Sequence, residues 1–184
     1  MSIFKAEGIL LQMWKYSNNE LYYKILFREY GILTVKKRKK AREKPVDIWY
    51  LIHCEIITHQ AKSVHTISNI KIQSFFTTQW RSYSDIESFL KILSLIKKEL
   101  PEWSPHYEIY DIASTMIDSQ ETITSDKLLL THLKIISSLW NLWESHSDET
   151  VTKILKFIQT NKYSQIMRLW SIPEDAKKHL ENLL

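Results

Sequence analysis

The feature that most limits the fold of this chain is a change of hydrophobic period partway along it. From Ser2 to about Thr78, apolar and polar residues tend to alternate and β-branched and aromatic residues are dense, in FKAEGILLQMW, ELYYKILF, GILTVKK, DIWYLIHCEII and SVHTISNIKIQSFF. A period of two buries one face of an extended segment, so the five stretches read as strands. YSNNE and REYG supply turn residues between the first three, and such short links make neighbours antiparallel. After Gln79 the period becomes helical. In SYSDIESFLKILSLIKKEL, Ser84 or Tyr83 can cap, and Ile86, Phe89, Leu90, Leu93 and Ile96 share one face until Pro101 and Pro105 stop the run. PHYEIYDIASTMID, TSDKLLLTHLKIISSLWNLW, SDETVTKILKFIQT and SIPEDAKKHLENLL repeat that amphipathic pattern.

The order of parts predicts an α+β chain: a five-stranded OB-fold β-barrel over residues 1–79, packed on a helical bundle over residues 80–184. No low-complexity tether separates the two, and 184 residues suffice for one domain with a real core or two small ones. A single cysteine, Cys54, excludes an internal disulfide framework. The opening MSIFKAEGILLQMWKYSNNE lacks the layout of a signal peptide, and no stretch reaches about 18 consecutive apolar residues. The expectation is a cytoplasmic protein with no membrane partner.

Catalytic and metal patterns are weak. His53, Cys54, His59 and His65 lie close in sequence, but adjacent strand residues such as His53 and Cys54 point to opposite faces, and no CxxC or HxxxH pair supports a metal. Only Gly8 and Gly31 are glycine, so a glycine-rich phosphate loop is excluded. The carboxylate neighbours Asp85 and Glu87, Asp118 and Glu121, and Asp148 and Glu149 stand at or beside predicted helix starts, where negative charge complements the helix dipole. No nucleophile, base and oxyanion donor assemble, so no enzyme and no cofactor are expected.

The strongest signal is charge placement. The formal net charge is only +4, yet Lys36, Lys37, Arg38, Lys39, Lys40, Arg42 and Lys44 crowd the connection between the third and fourth strands, with Glu43 the local offset. Such a cluster is ordinarily a solvated loop. Beside a barrel's open face it also suits a phosphate backbone, whose released counterions would compensate the mutual repulsion. Tyr22, Tyr23, Phe27, Trp49 and Tyr50 lie on or beside the same strands, and any that face outward can stack on bases.

AEGILLQMWKYSNNELYYKILFREYGILTVKKRKKAREK resembles the opening of RecO-type recombination mediators, with Glu7, Gly8, Ile9, Tyr16, Tyr30 and Gly31 matching the pattern. IKIQSFF looks like that family's closing barrel strand and RSYSDIESFLKIL like its first helix, and the resemblance runs on through THLKIISSLWNLW to the end of the chain. It implies a non-enzymatic DNA-repair factor that binds single- and double-stranded DNA and promotes annealing. It further implies work with RecR, contact with the C-terminal tail of single-strand binding protein, and help in loading RecA. Many members carry a four-cysteine zinc module where this chain has NLWESHSDET, so no zinc is expected here. The competing readings are an RNA-binding OB-fold protein and an interaction scaffold that uses its helical half.

Composition adds one oddity. Glycine normally supplies about 7% of residues, yet this chain has 2 glycines beside 7 tryptophans. Trp14, Trp80, Trp103, Trp143 and Trp170 fall in or beside predicted turns and helix ends, where glycine is usual. Trp140 stands about where the resembling family has glycine. One reading is a codon decoded as glycine in the source organism; the other is that these rings are ordinary core or stacking residues.

Overall fold

The structure, a computed structural model, describes residues 2–15, 19–38, 46–58, 64–79, 81–119, 121–140, 148–168 and 171–184. It is α+β. The strands are β1 (Ser2–Lys15), β2 (Glu20–Phe27), β3 (Gly31–Arg38), β4 (Tyr50–Thr58) and β5 (His65–Phe75), and the sheet closes in a ring in the order β1-β2-β3-β5-β4. β3 and β5 pair in parallel; the other ladders are antiparallel. β1 closes the ring because it is long enough to serve two neighbours. Ser2–Ile9 pairs with β4 and Gly8–Lys15 with β2, with a bulge between Leu10 and Gln12 that bends the strand from one partner to the other.

Alternation fills the ring. Leu10, Tyr23, Ile25, Phe27, Leu33, Val35, Ile52, Cys54, Ile56 and Ile67 form one buried cluster, and each fully buried aliphatic or aromatic side chain contributes about 1.5–3 kcal/mol. Gly8 belongs to this inner face by necessity, since a Cβ there would strike Ile25 and Phe27. Among the described residues, left-handed backbone occurs at Gly31, Trp49, Asn69 and Trp103.

The helices are α1 (Tyr83–Glu99), α2 (Tyr107–Asp118), α3 (Ser125–Leu139), α4 (Glu149–Thr160), α5 (Tyr163–Ile166) and α6 (Glu174–Glu181). None among the described residues is long and apolar enough to cross a membrane. Contacts divide the chain into two units, Met1–Thr77 with Lys97–Ser119, and Thr78–Ile96 with Gln120–Leu184. The first differs from the expected 1–79 barrel by gaining α2, which contacts β1, β4 and β5. Tyr110 of α2 is buried and its hydroxyl donates to Glu7 at 2.6 Å, while Arg28 stacks over the Tyr110 ring and pairs with Asp111. An amphipathic period shows that a helix buries one face; it does not say against what.

In the second unit α1 starts at a reciprocal cap. Ser82 donates its hydroxyl to Asp85, and the Asp85 N–H returns a bond to Ser82, so the cap is Ser82 and not the expected Ser84 or Tyr83. Ile92 takes the buried place expected of Leu90. Thr124 caps α3 and Asp148 caps α4. Leu129, Leu130, Leu133, Val151, Leu155, Ile158, Ile166, Ile172, Ala176 and Leu180 form the apolar core. Lys177 pairs with Asp126 at 2.7 Å, and Asp126 also accepts from the Ile172 N–H. The one-turn α5 has too few residues to show a period in the sequence.

Candidate nucleic-acid interface

β3 carries the first three residues of the basic run; Lys39, Lys40, Arg42 and Lys44 lie outside the described residues. The pleat separates the three it holds. Lys36 faces outward, half-buried, and Arg38 is exposed, whereas Lys37 turns to the other side and is only 8% exposed. Lys36 and Arg38 therefore share a surface that Lys37 does not.

The ladders set a row on that surface. Trp14 of β1 stands opposite Tyr22 of β2, Tyr22 opposite Lys36 of β3, and Lys36 opposite Thr66 of β5. The Trp14 and Tyr22 rings stack, with centroids 5.9 Å apart and planes inclined by 29°. The next outward row is Gln12, Lys24 and Thr34, and Glu20 lies opposite Arg38. Glu20 receives the Lys36 ammonium at 3.1 Å, and this hydrogen bond and charge raise the Lys36 pKa. Glu43 is thus not the only offset to the cluster. Glu20 is a cross-strand one, and the pair is half-buried at the surface.

Of the aromatic candidates, Tyr23 and Phe27 are core. Tyr50 pairs with Phe75, with centroids 5.4 Å apart. Tyr22 alone among the five stands opposite a basic residue of the run. Trp14 ends the expected first strand beside a turn, and it belongs to β1, facing outward. The bulge hides it: counting by twos from the inward Leu10 would put Trp14 inside, but the extra residue after Leu10 reverses the parity and turns Met13 inward. Four consecutive buried residues, Gly8 to Leu11, run up to the bulge, so burial alone does not mark it.

Other chemistry-bearing residues have plainer places. His53 lies on the outer side of β4, paired with Glu7 at 3.4 Å, while Cys54 points into the core, so the two do not face one ion. Burial, with the neighbouring Glu55 charge, pushes the Cys54 thiol up to about 12. His65 packs edge-on against Trp103, and His59 lies outside the described residues. Among the described residues no three metal-ligating side chains converge. A cavity of about 640 Å³ on the ring is lined by Lys5, His53, Glu55, Asn69 and Lys71, where Glu55 is the single acid beside two lysines.

Asp118 is the last residue of α2 and not at a helix start as expected, whereas the other carboxylates have structural work. Burial raises the Asp85 pKa, but bonds from Ser82 and the Ile123 N–H, with Arg81 nearby, outweigh it and hold the carboxyl below its usual range. Asp148 accepts the Thr150 and Val151 N–H groups, and Glu87, Glu121 and Glu149 pair with Lys91, Lys127 and Lys153. No family model matches the sequence, and no curated protein is significantly similar to it.

Proposed function

We propose that the chain binds nucleic-acid strands on the outward surface of β1, β2 and β3, and that it is a RecO-type DNA recombination mediator built on an OB-type barrel. The observation that carries the reading is the row Trp14, Tyr22 and Lys36, which places a stacked aromatic pair beside the strand end that leads into the basic connection. Aromatic faces accept any base, and cations accept any phosphate, so the surface suits a strand of arbitrary sequence. The strand order, with its parallel β3–β5 contact, supports the OB-type assignment. Annealing follows if the cations screen repulsion between two backbones while base edges stay free to pair. On this reading the helices engage the acidic tail of single-strand binding protein, RecR is a further partner, and the bound strand is passed toward RecA.

A second reading, an RNA-binding protein, is favoured by the same stacked pair, because RNA recognition leans on aromatic platforms for unpaired bases. Binding and annealing of matched DNA and RNA strands across a salt series test both. The expected result is DNA affinity that falls steeply with salt, together with strand annealing. Tighter binding of RNA selects the second reading, and binding that ignores salt removes both.

A further inference from the structure

Among the described residues, four have left-handed backbone: Gly31 at φ 71°, Asn69 at φ 50°, Trp49 at φ 65° and Trp103 at φ 64°. Glycine and asparagine are the residues that adopt this conformation readily. For a bulky side chain it is an outlier, because Cβ approaches the following carbonyl. Two tryptophans in it, in a chain with 7 tryptophans and 2 glycines, need a cause.

Neither position lies in a loop free to relax. The Trp49 N–H donates to the Leu10 carbonyl at 2.9 Å, beside the β1 bulge, and its own carbonyl accepts from the Phe76 N–H at 3.3 Å. The Trp103 N–H donates to the Ile32 carbonyl at 3.2 Å, which fastens the segment after α1 along β3. Strand backbone on either side thus dictates φ. The side chains do little in return. Trp103 is 50% exposed and touches His65 by one edge-on contact, and Trp49 is only half-buried.

We infer that positions 49 and 103 are occupied by glycine in the protein as its own cells make it, through a codon that is read as tryptophan in this sequence and decoded there as glycine. Glycine meets both backbone demands without strain and leaves every hydrogen bond named above in place, since all are made by main-chain atoms. Trp14 is not included, because it lies in β1 with its ring stacked on Tyr22. Nor is Trp140, which is exposed but has φ −132°. Trp80, Trp143 and Trp170 lie outside the described residues.

Tandem mass spectrometry of peptides spanning residues 49 and 103, from protein purified from the source cells, reads the residues directly. Glycine at both is expected, and tryptophan at either position overturns the inference there. Recombinant chains give a second readout. Trp49→Gly and Trp103→Gly should each raise the melting temperature by about 2–4 °C over the tryptophan chain. The matching alanine variants, which keep the left-handed strain, should melt below the glycine ones. A glycine variant that melts below the tryptophan chain also overturns the inference at that position.

Discussion

Tyr22 and Lys36 stand opposite each other across the β2–β3 ladder on the outward surface of the ring, with Trp14 stacked behind the tyrosine. The two side chains thus rise from neighbouring strands, whose backbones lie about 5 Å apart, on one face of the sheet. Replacing Tyr22 with alanine should weaken single-stranded DNA binding by about 1–3 kcal/mol, the usual worth of one base–aromatic stack. Duplex binding should change far less, because paired bases do not expose their faces. Fluorescence anisotropy with matched single- and double-stranded probes measures the difference. An equal loss on both would show that Tyr22 supports the fold and does not stack.

Replacing Lys36, Lys37, Arg38, Lys39 and Lys40 together with alanine should weaken binding with little regard to base sequence. It should also lower the salt slope by about 0.7–0.9 for each phosphate that is no longer neutralised. The structure adds an internal order to that expectation. Arg38→Ala should take more from binding than Lys37→Ala, since Arg38 is exposed and Lys37 is turned to the buried side. Lys37→Ala should act mainly on stability, which circular dichroism melts would separate from binding. If Lys37→Ala lowers affinity most while the fold stays intact, the outward surface is the wrong one.

The strands were legible because their apolar residues tend to alternate and β-formers are dense, and all five begin and end within three residues of the expected limits, β2 on them. β1 runs from Ser2 to Lys15 with the bulge at Leu10 that no alternation rule marks, and that bulge decides which way Trp14 faces. Lys36 and Arg38 were readable as basic, but which of the run share a surface depends on the pleat and on their pairing with Tyr22 and Glu20. α2 was legible as a helix and not as a neighbour of the ring. The bond from Tyr110 to Glu7 joins residues 103 positions apart, a distance over which sequence periodicity is silent.

His132 gives a pH dependence to the second unit. It sits half-buried on α3, its Nε2 finds no hydrogen-bond partner among the described residues, and burial, with the Lys91 charge nearby, lowers its pKa below the ordinary 6.5. A group that is harder to protonate in the folded chain than in the unfolded one contributes stability that is complete above pH 6.5. That stability is lost as the pH falls through 6.5 toward the folded value. Urea denaturation at a series of pH values should show the decline below 6.5, and His132→Leu should flatten that part of the profile. An unchanged acid limb in the variant would assign the decline to other groups.

Gly31 meets two demands at once. Its φ of 71° is left-handed, and a Cβ at this position would collide with the Ser104 main chain, where the segment after α1 lies along β3. Gly31→Ala should therefore be more costly than the left-handed term alone, which is about 1–2 kcal/mol, because backbone must also move. The collision falls where the Trp103 N–H reaches the Ile32 carbonyl, so the expected damage is loss of that docking and not collapse of the ring core. Hydrogen exchange reads this locally. Protection should fall at the Trp103 amide in Gly31→Ala while the amides of β1 and β2 keep theirs. Gly8→Ala is the contrast, since its Cβ would strike Ile25 and Phe27 inside the ring and should loosen β1 and β2 themselves. If Gly31→Ala instead melts like the parent chain with the Trp103 amide still protected, the segment after α1 is not held against β3 in solution.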